Sequence, residues 1–292
     1  MTIALYARCV KDNHADYVKT LSTKLNKENV QLIIHDSYYA FLKKEFQFNL
    51  EIPTYNSHKC IKGKVDYIIS LGGDGTILET LDLVRDSGIP VLGVNTGRLG
   101  FLASVYKGDF SVAINSLLAN KYKLDKRSLI ELETPSGLFG DLKWAVNELT
   151  ILKKDSSSMI SIDASINGSF LNSYWADGLI VSTPTGSTAY SLSCGGPIMV
   201  PDAENFVITP IAPHNLNVRP IIISSNSEVS LMVHGRSPEY LLSLDSRHAT
   251  IDNTFEIKLR KANFTFNLVS LETQDFFKTL RDKLMWGLDK RN

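Results

Sequence analysis

An apolar run over residues 65–71 passes directly into Gly72-Gly73-Asp74-Gly75-Thr76, and then into a run over 76–85 with apolar residues at helical spacing. No other stretch constrains the fold as tightly. A strand that turns through glycines into a helix must pair within a sheet, and its helix must pack back over that sheet. The helix start offers N–H groups without intrahelical partners and the positive end of the helix dipole. The turn is therefore an anion site by construction, with glycines that let a phosphate come close to the backbone. Asp74 is the odd member, because a carboxylate repels phosphate unless it binds a metal or takes a proton. The turn predicts phosphate together with chemistry at Asp74. The bland alternative is a tight turn in which Asp74 caps the helix. The glycine spacing fits neither the dinucleotide fingerprint nor a Walker A loop.

Strand and helix patterns alternate through the first 125 or so residues. Strands are expected over 3–6, 31–34, 65–71 and 90–94, and helices over 15–26, 76–85 and 109–120. This predicts an α/β domain with a parallel sheet and flanking helices. The pattern then changes. Ile160, Ile162, Ala164 and Ile166 alternate with polar residues up to Asn167-Gly168, a hairpin signal. Val229, Leu231 and Val233, then Phe255, Ile257 and Leu259, then Phe264, Phe266 and Leu268 repeat the alternation. A mainly antiparallel, sandwich-like β domain is expected there. A closing helix carries Phe276, Phe277, Leu280 and Leu284 on one face, ends at Trp286, and is expected to return to the first domain. The expected division is 1–125 completed by 272–292, with 126–271 as the β-rich domain.

Lys+Arg and Asp+Glu both number 31, for a formal net charge of +0. That balance argues against a general binder of nucleic acid or membrane surfaces. Cys9, Cys60 and Cys194 match no zinc or redox spacing, and no apolar run approaches a membrane span. The N-terminus reads as a first strand and not as a signal peptide, so a cytoplasmic protein is expected.

Further motifs follow the glycine turn. Asn95-Thr96-Gly97-Arg98-Leu99-Gly100-Phe101-Leu102 lies at the C-terminal edge of the same sheet, where open α/β sheets bind ligands. Arg98 could contact phosphate there, and an exposed or salt-bridged arginine fits the pattern equally well. Asn147-Glu148 could read paired ribose hydroxyls or an adenine edge, although a polar turn explains the dipeptide equally well. The segment from Asp177 to Pro197 is rich in hydroxyls and glycine, and it suits a nucleotide's sugar and base. Thr209-Pro210-Ile211-Ala212-Pro213-His214 reads as a rigid turn fixed by two prolines.

Taken together, these motifs resemble those of the bacterial NAD kinases in order and separation. The likeness spans nearly the whole chain, and the 177–197 segment is its most specific part. The glycine turn alone is shared with diacylglycerol-type lipid kinases. A lipid kinase and a non-catalytic NADP(H) sensor are the alternatives, disfavoured by the polar 183–193 segment and by the presence of Asp74 respectively. The resemblance implies transfer of the γ-phosphoryl group of ATP to the 2′-hydroxyl of the adenosine ribose of NAD, with Asp74 as general base. It implies phosphate held at Gly72, Gly73, Gly75 and Thr76, and NAD bound by Asp74, Gly75, Asn147 and Glu148. Asp177 would face the nicotinamide riboside. Thr188, Ala189, Tyr190, Ser191, Leu192 and Ser193 would line the adenosine pocket, with Tyr190 as its aromatic wall. A divalent metal, usually Mg²⁺, accompanies ATP, with no protein ligands assigned to it. Homodimers or homotetramers form through the β region, and Ala212 falls where some members reach a neighbouring subunit's site. Glu79 and Ser158 stand where basic residues are common, and Asp245-Ser246-Arg247 replaces a more usual Asp-Gly-Gln.

Overall fold

The computed structural model describes residues 1–9, 15–97, 100–103, 105–154, 158–271 and 275–287. The chain divides into two compact units, residues 1–126 with 266–292 and residues 127–265.

The first unit is built on one sheet. Its strands run in the order Thr54–Tyr55, Gln31–His35, Thr2–Ala7, Tyr67–Leu71, Val91–Asn95, Phe266–Ser270 and Lys123–Arg127, with Val105–Tyr106 paired to Val91–Asn95. Thr2–Ala7, Tyr67–Leu71 and Val91–Asn95 pair in parallel, with Ala7 opposite Leu71 and Leu71 opposite Val94. All five residues of Tyr67–Leu71 and of Val91–Asn95 are buried. That follows from apolar runs covered on both faces. After Thr2–Ala7 the chain extends the sheet toward Gln31–His35, and after Tyr67–Leu71 it extends it the other way. The order reverses between these two strands, so the glycine turn emerges at the topological switch point, where such sheets leave a crevice.

The helix after the turn is Asp74–Val84, so it begins at Asp74 and not at Thr76. A further helix, Asp36–Phe46, follows the strand Gln31–His35. The closing helix is Phe276–Leu284, capped by Asp275, whose side chain accepts from the Phe277 N–H. Its expected apolar face is narrower than the pattern implied. Leu280 is buried and Phe276 lies 6.3 Å from the Phe101 ring, but Phe277 and Trp286 are exposed.

The alternation at Phe264, Phe266 and Leu268 led to an assignment with the antiparallel strands, and the structure differs. Phe266–Ser270 is a strand of the first unit's sheet, parallel to Val91–Asn95, with Leu268 opposite Val91. Alternation reports a strand with two unlike faces; it does not report the partner.

The second unit packs two six-stranded sheets over a shared core that includes Ile151, Ile162, Val181, Phe206, Leu231, Leu242 and Ile257. The pairings within both sheets are antiparallel. Asn167 and Gly168 take φ of +51° and +78° at the hairpin between Ile160–Ile166 and Ser169–Ala176. These are the left-handed values that such a two-residue turn needs. The rigid turn expected over 209–214 is only partly a turn. Thr209, Pro210 and Ile211 close the strand Asn205–Ile211, with Pro210 opposite Leu179. The other neighbour, Ile221–Ser224, pairs only as far as Ile208, so the missing proline N–H breaks no ladder.

Candidate functional site

In the first unit the site begins at the glycine turn. The Gly72 N–H donates to the Val94 carbonyl at 2.9 Å, fixing the turn to the neighbouring strand. Gly73 is the N-cap residue and no side chain caps the helix, so Asp74 does not do so. Asp74 and Gly75 supply the first helical N–H groups, which have no carbonyl one turn back to bond. The buried Thr76 side chain lies directly beneath Gly72 and its N–H donates to the Gly73 carbonyl, closing the turn from below.

The Asp74 carboxylate turns instead toward the loop of the second motif. Oδ2 accepts from the Phe101 N–H at 2.7 Å, and Oδ1 accepts from Leu102 at 3.0 Å and Ala103 at 2.9 Å. A carboxylate offers about four acceptor sites, and these bonds use two on Oδ1 and one on Oδ2. Among the described residues nothing else bonds the carboxylate, which leaves one lone pair of Oδ2. The loop can approach this closely only through Gly100, where a Cβ would sit 1.7 Å from Oδ1. The two motifs are thus joined by charge-assisted bonds that the sequence alone did not reveal. Arg98 and Leu99 of that motif lie outside the described residues.

Arg8, directly after the first strand, was not singled out from sequence. Its Nη2 lies 2.8 Å from Glu79 Oε1 and donates to the Gly75 carbonyl at 3.1 Å. The Tyr6 hydroxyl donates to Glu79 Oε2 at 2.9 Å, and burial together with Glu79 pushes the Tyr6 phenol well above its ordinary range. Glu79, the unexpected acid, thereby seats a cation against the glycine turn. Among the described residues no group of three or more His, Cys, Asp or Glu side chains could hold a metal ion.

In the second unit Asn147 precedes the strand Glu148–Lys153, and its backbone is held from two sides. Thr183 donates its N–H to the Asn147 carbonyl at 2.9 Å and its hydroxyl to the Val146 carbonyl at 2.6 Å. Gly186 permits this approach, because a Cβ there would meet the Asn147 carbonyl at 2.2 Å. From the other side the Asp245 carboxylate accepts the N–H groups of Val146, Asn147 and Glu148 at 2.9, 2.7 and 3.2 Å. Glu148 is 9% exposed, and its Oε2 is buried with no hydrogen-bond partner among the described residues. Burial first, and Asp245 second, raise the Glu148 carboxyl to about 8.

Several hydroxyls of the 177–197 segment have partners within the fold. Ser187 Oγ donates to the Pro184 carbonyl at 2.7 Å and accepts from the Met199 N–H at 2.9 Å. Thr188 Oγ1 donates to the Thr185 carbonyl at 3.1 Å, and Ser191 Oγ bonds Thr209 Oγ1 at 2.9 Å. Much of the polarity satisfies the loop's own buried backbone. Tyr190, which begins the short helix Tyr190–Ser193, remains 39% exposed, and Ser193 is exposed beside it. Ala189 and Leu192 are half-buried. Burial, then Cys194, Asp177 and Glu148, raise the Tyr190 phenol, so Tyr190 lies within electrostatic reach of both acids. Asp177 pairs with Lys153 Nζ at 2.6 Å. Ala212, just past its strand, takes φ of +44° and is exposed. Ser158 borders a cavity of about 520 Å³ with Trp175, His234 and Arg236. Arg247 donates to the carbonyls of Leu142 and Trp144.

The chain matches the ATP-NAD kinase N-terminal domain over residues 7–122 and the ATP-NAD kinase C-terminal domain over residues 146–271. It is 46% identical to an NAD kinase of Cytophaga hutchinsonii over 295 residues, covering 100% of each chain. It is 40% identical to an NAD kinase of Bacteroides fragilis over 291 residues, again covering 100% of each. Its fold is similar to that of yeast NADH kinase complexed with NADH, with a TM-score of 0.88 at 23% identity, over 98% of this chain and 88% of that one. An NAD kinase from Archaeoglobus fulgidus in complex with ATP gives a TM-score of 0.75 at 24% identity, over 98% and 99%.

Proposed function

The chain belongs to the ATP-NAD kinase family, and from that premise we propose which of its residues phosphorylate NAD. The reaction moves the γ-phosphoryl group of ATP to the 2′-hydroxyl of the adenosine ribose of NAD, releasing NADP and ADP. Little covalent chemistry falls to the protein in such a transfer; it positions the two oxygens in line and neutralises charge.

Asp74 is the general base. The observation that supports this is the single lone pair left on Oδ2 once Phe101, Leu102 and Ala103 have taken the rest. The 2′-hydroxyl donates to that lone pair, its oxygen forms the new bond to the γ-phosphorus, and the bond to ADP breaks. The hydroxyl proton ends on Asp74. Three amide donors fix the carboxylate's direction, which general-base catalysis needs more than raw basicity. Backbone N–H groups of Gly73 and Gly75 hold phosphate, with Gly72 tied to Val94 behind them, Thr76 closing the turn beneath and Arg8, paired with Glu79, beside Gly75.

Asn147 and Glu148 hold the nucleoside of NAD, Asp177 faces the nicotinamide riboside, and Tyr190 forms the aromatic wall of an adenosine pocket lined by residues 188–193. ATP arrives with a divalent cation, for which we propose Mg²⁺; it neutralises phosphate charge while the chain's own residues bind and orient. Among the described residues no cluster of His, Cys, Asp or Glu fits a resident metal.

No helix among the described residues is long and apolar enough to cross a membrane. We place the enzyme in the cytoplasm, where ATP and NAD are both abundant. A homodimer or homotetramer is proposed through the edge strand Ser169–Ala176, which exposes Phe170 and Trp175. Light scattering on the purified protein tests it, and a monomer at micromolar concentration overturns it.

The decisive experiment is NADP formation from NAD and ATP, reported by an NADP-specific dehydrogenase, for wild type and Asp74→Asn. Turnover in the wild type that survives unchanged in the variant removes Asp74 as base.

A further inference from the structure

The hairpin joining Glu239–Leu244 to Arg247–Asp252 turns through Asp245 at φ +52°. A side chain rarely adopts that backbone conformation without something holding it. Here the hold is identifiable. The carboxylate accepts three consecutive N–H groups from residues 146–148, and the Asp245 N–H donates to the Glu148 carbonyl at 3.0 Å. Arg247 donates to two carbonyls just upstream, at Leu142 and Trp144. The hairpin tip is therefore a clamp on residues 142–148. With Thr183 holding the opposite side, the main chain of Asn147 and Glu148 is committed and only the side chains are left for a ligand.

We propose that Asp245 is a positioning residue for nucleoside recognition: it fixes the backbone of residues 146–148 and, lying beside Glu148, makes that side chain meet its ligand as a neutral acid. The proposal rests on the reading that Asn147 and Glu148 hold the nucleoside of NAD. Burial raises both carboxyls. Three amide donors and Arg247 draw Asp245 back toward its ionised form, whereas nothing donates to Glu148 Oε2. We therefore assign the proton to Glu148, whose carboxyl burial and Asp245 raise to about 8. Among the described residues Asp245 acts on Glu148, Arg247 acts on Asp245, and Glu148 and Asp177 both act on Tyr190, with Asp177 paired to Lys153. The flanking strands set Ser182 opposite Glu148 and Leu244 opposite Leu149. A protonated carboxyl both donates and accepts, so it can read a hydroxyl that a carboxylate could only accept from.

The test is the pH profile of the KM for NAD. In the wild type it is flat up to about pH 8 and rises above it, as Glu148 ionises. Asp245→Asn removes a negative neighbour, which lowers the Glu148 pKa, so the break moves to lower pH. It also raises the NAD KM at pH 7 about tenfold, with kcat changed less than about threefold, because binding geometry is lost and the chemistry is not. An unmoved break, or a fall in kcat with KM unchanged, overturns the proposal. Carbon-13 NMR of the glutamate carboxyls in unaltered protein gives an answer that does not depend on the variant's folding. Glu148, assigned by its absence in Glu148→Gln, titrates near pH 8 if the proposal holds, and an ordinary carboxylic break overturns it. Glu148→Ala separates the two readings. If it leaves the NAD KM unchanged, the nucleoside assignment fails and takes the proposal with it. If it raises KM while Asp245→Asn is silent, only the proposal fails.

Discussion

Each unit contains an aspartate whose carboxylate receives three consecutive backbone N–H groups from a distant segment. Asp74 receives those of Phe101, Leu102 and Ala103; Asp245 receives those of Val146, Asn147 and Glu148. In both, one oxygen takes two bonds and the other takes one. The surroundings differ. Asp74 opens a helix of 11 residues and its neighbours are glycines, which leave room for a ligand's phosphate. Asp245 sits at a hairpin tip, and its neighbour is a buried glutamate. Asp245 also returns its own N–H to the segment it holds. A three-amide cradle therefore does not mark a catalytic carboxylate. The cradle fixes direction, and in the proposed reaction the adjoining residues decide whether the fixed oxygen meets a substrate or organises a neighbour.

The strongest way to break that contrast is Asp74→Asn. Loss of a general base costs about 10²–10⁴-fold in kcat, with nucleotide binding retained by equilibrium dialysis. If this variant instead loses thermal stability and keeps its rate, Asp74 is a clamp like Asp245. A smaller effect is expected from Gly100→Ala. The new methyl would meet Asp74 Oδ1 at 1.7 Å, so either the loop or the carboxylate must move. Misplacement by an ångström can cost about 10²-fold in rate; kcat near wild type in steady-state assays shows that the cradle's geometry is dispensable.

On the second unit's side, Tyr190→Ala should raise the NAD KM about tenfold, the order of one lost base–aromatic stack, and the ATP KM by less. Equal changes in both remove Tyr190 from the adenosine pocket. The smallest effect concerns stability. The folded Glu148 carboxyl is raised to about 8, above its unfolded value near 4.3, so the folded state binds the extra proton between them. Stability from this group is full below the unfolded value and is lost as pH rises toward 8. Melting curves from pH 5 to 8 should show that decline in the wild type and a flatter profile in Glu148→Gln. Parallel profiles mean that Glu148 is ionised throughout.

Local pattern determined much of this protein. Apolar runs identified the strands 65–71 and 90–94, Asn167-Gly168 fixed its hairpin, and Gly72-Gly73-Asp74-Gly75 was legible as a strand-to-helix turn, because strand period, turn chemistry and helix starts are set by neighbours in sequence. The same pattern misassigned Phe266–Ser270 to the antiparallel sheets, read Pro210 as a turn residue and did not show that Ser191 bonds Thr209. In each case the deciding partner is far away in the chain: Val91 for Leu268, Leu179 for Pro210, Thr209 for Ser191. Arg8 beside Gly75, the loop amides on Asp74 and the Asp245 clamp were likewise decided only in three dimensions. A hydrogen bond requires two groups within about 3 Å, and only the folded backbone brings residues from distant parts of the chain that close.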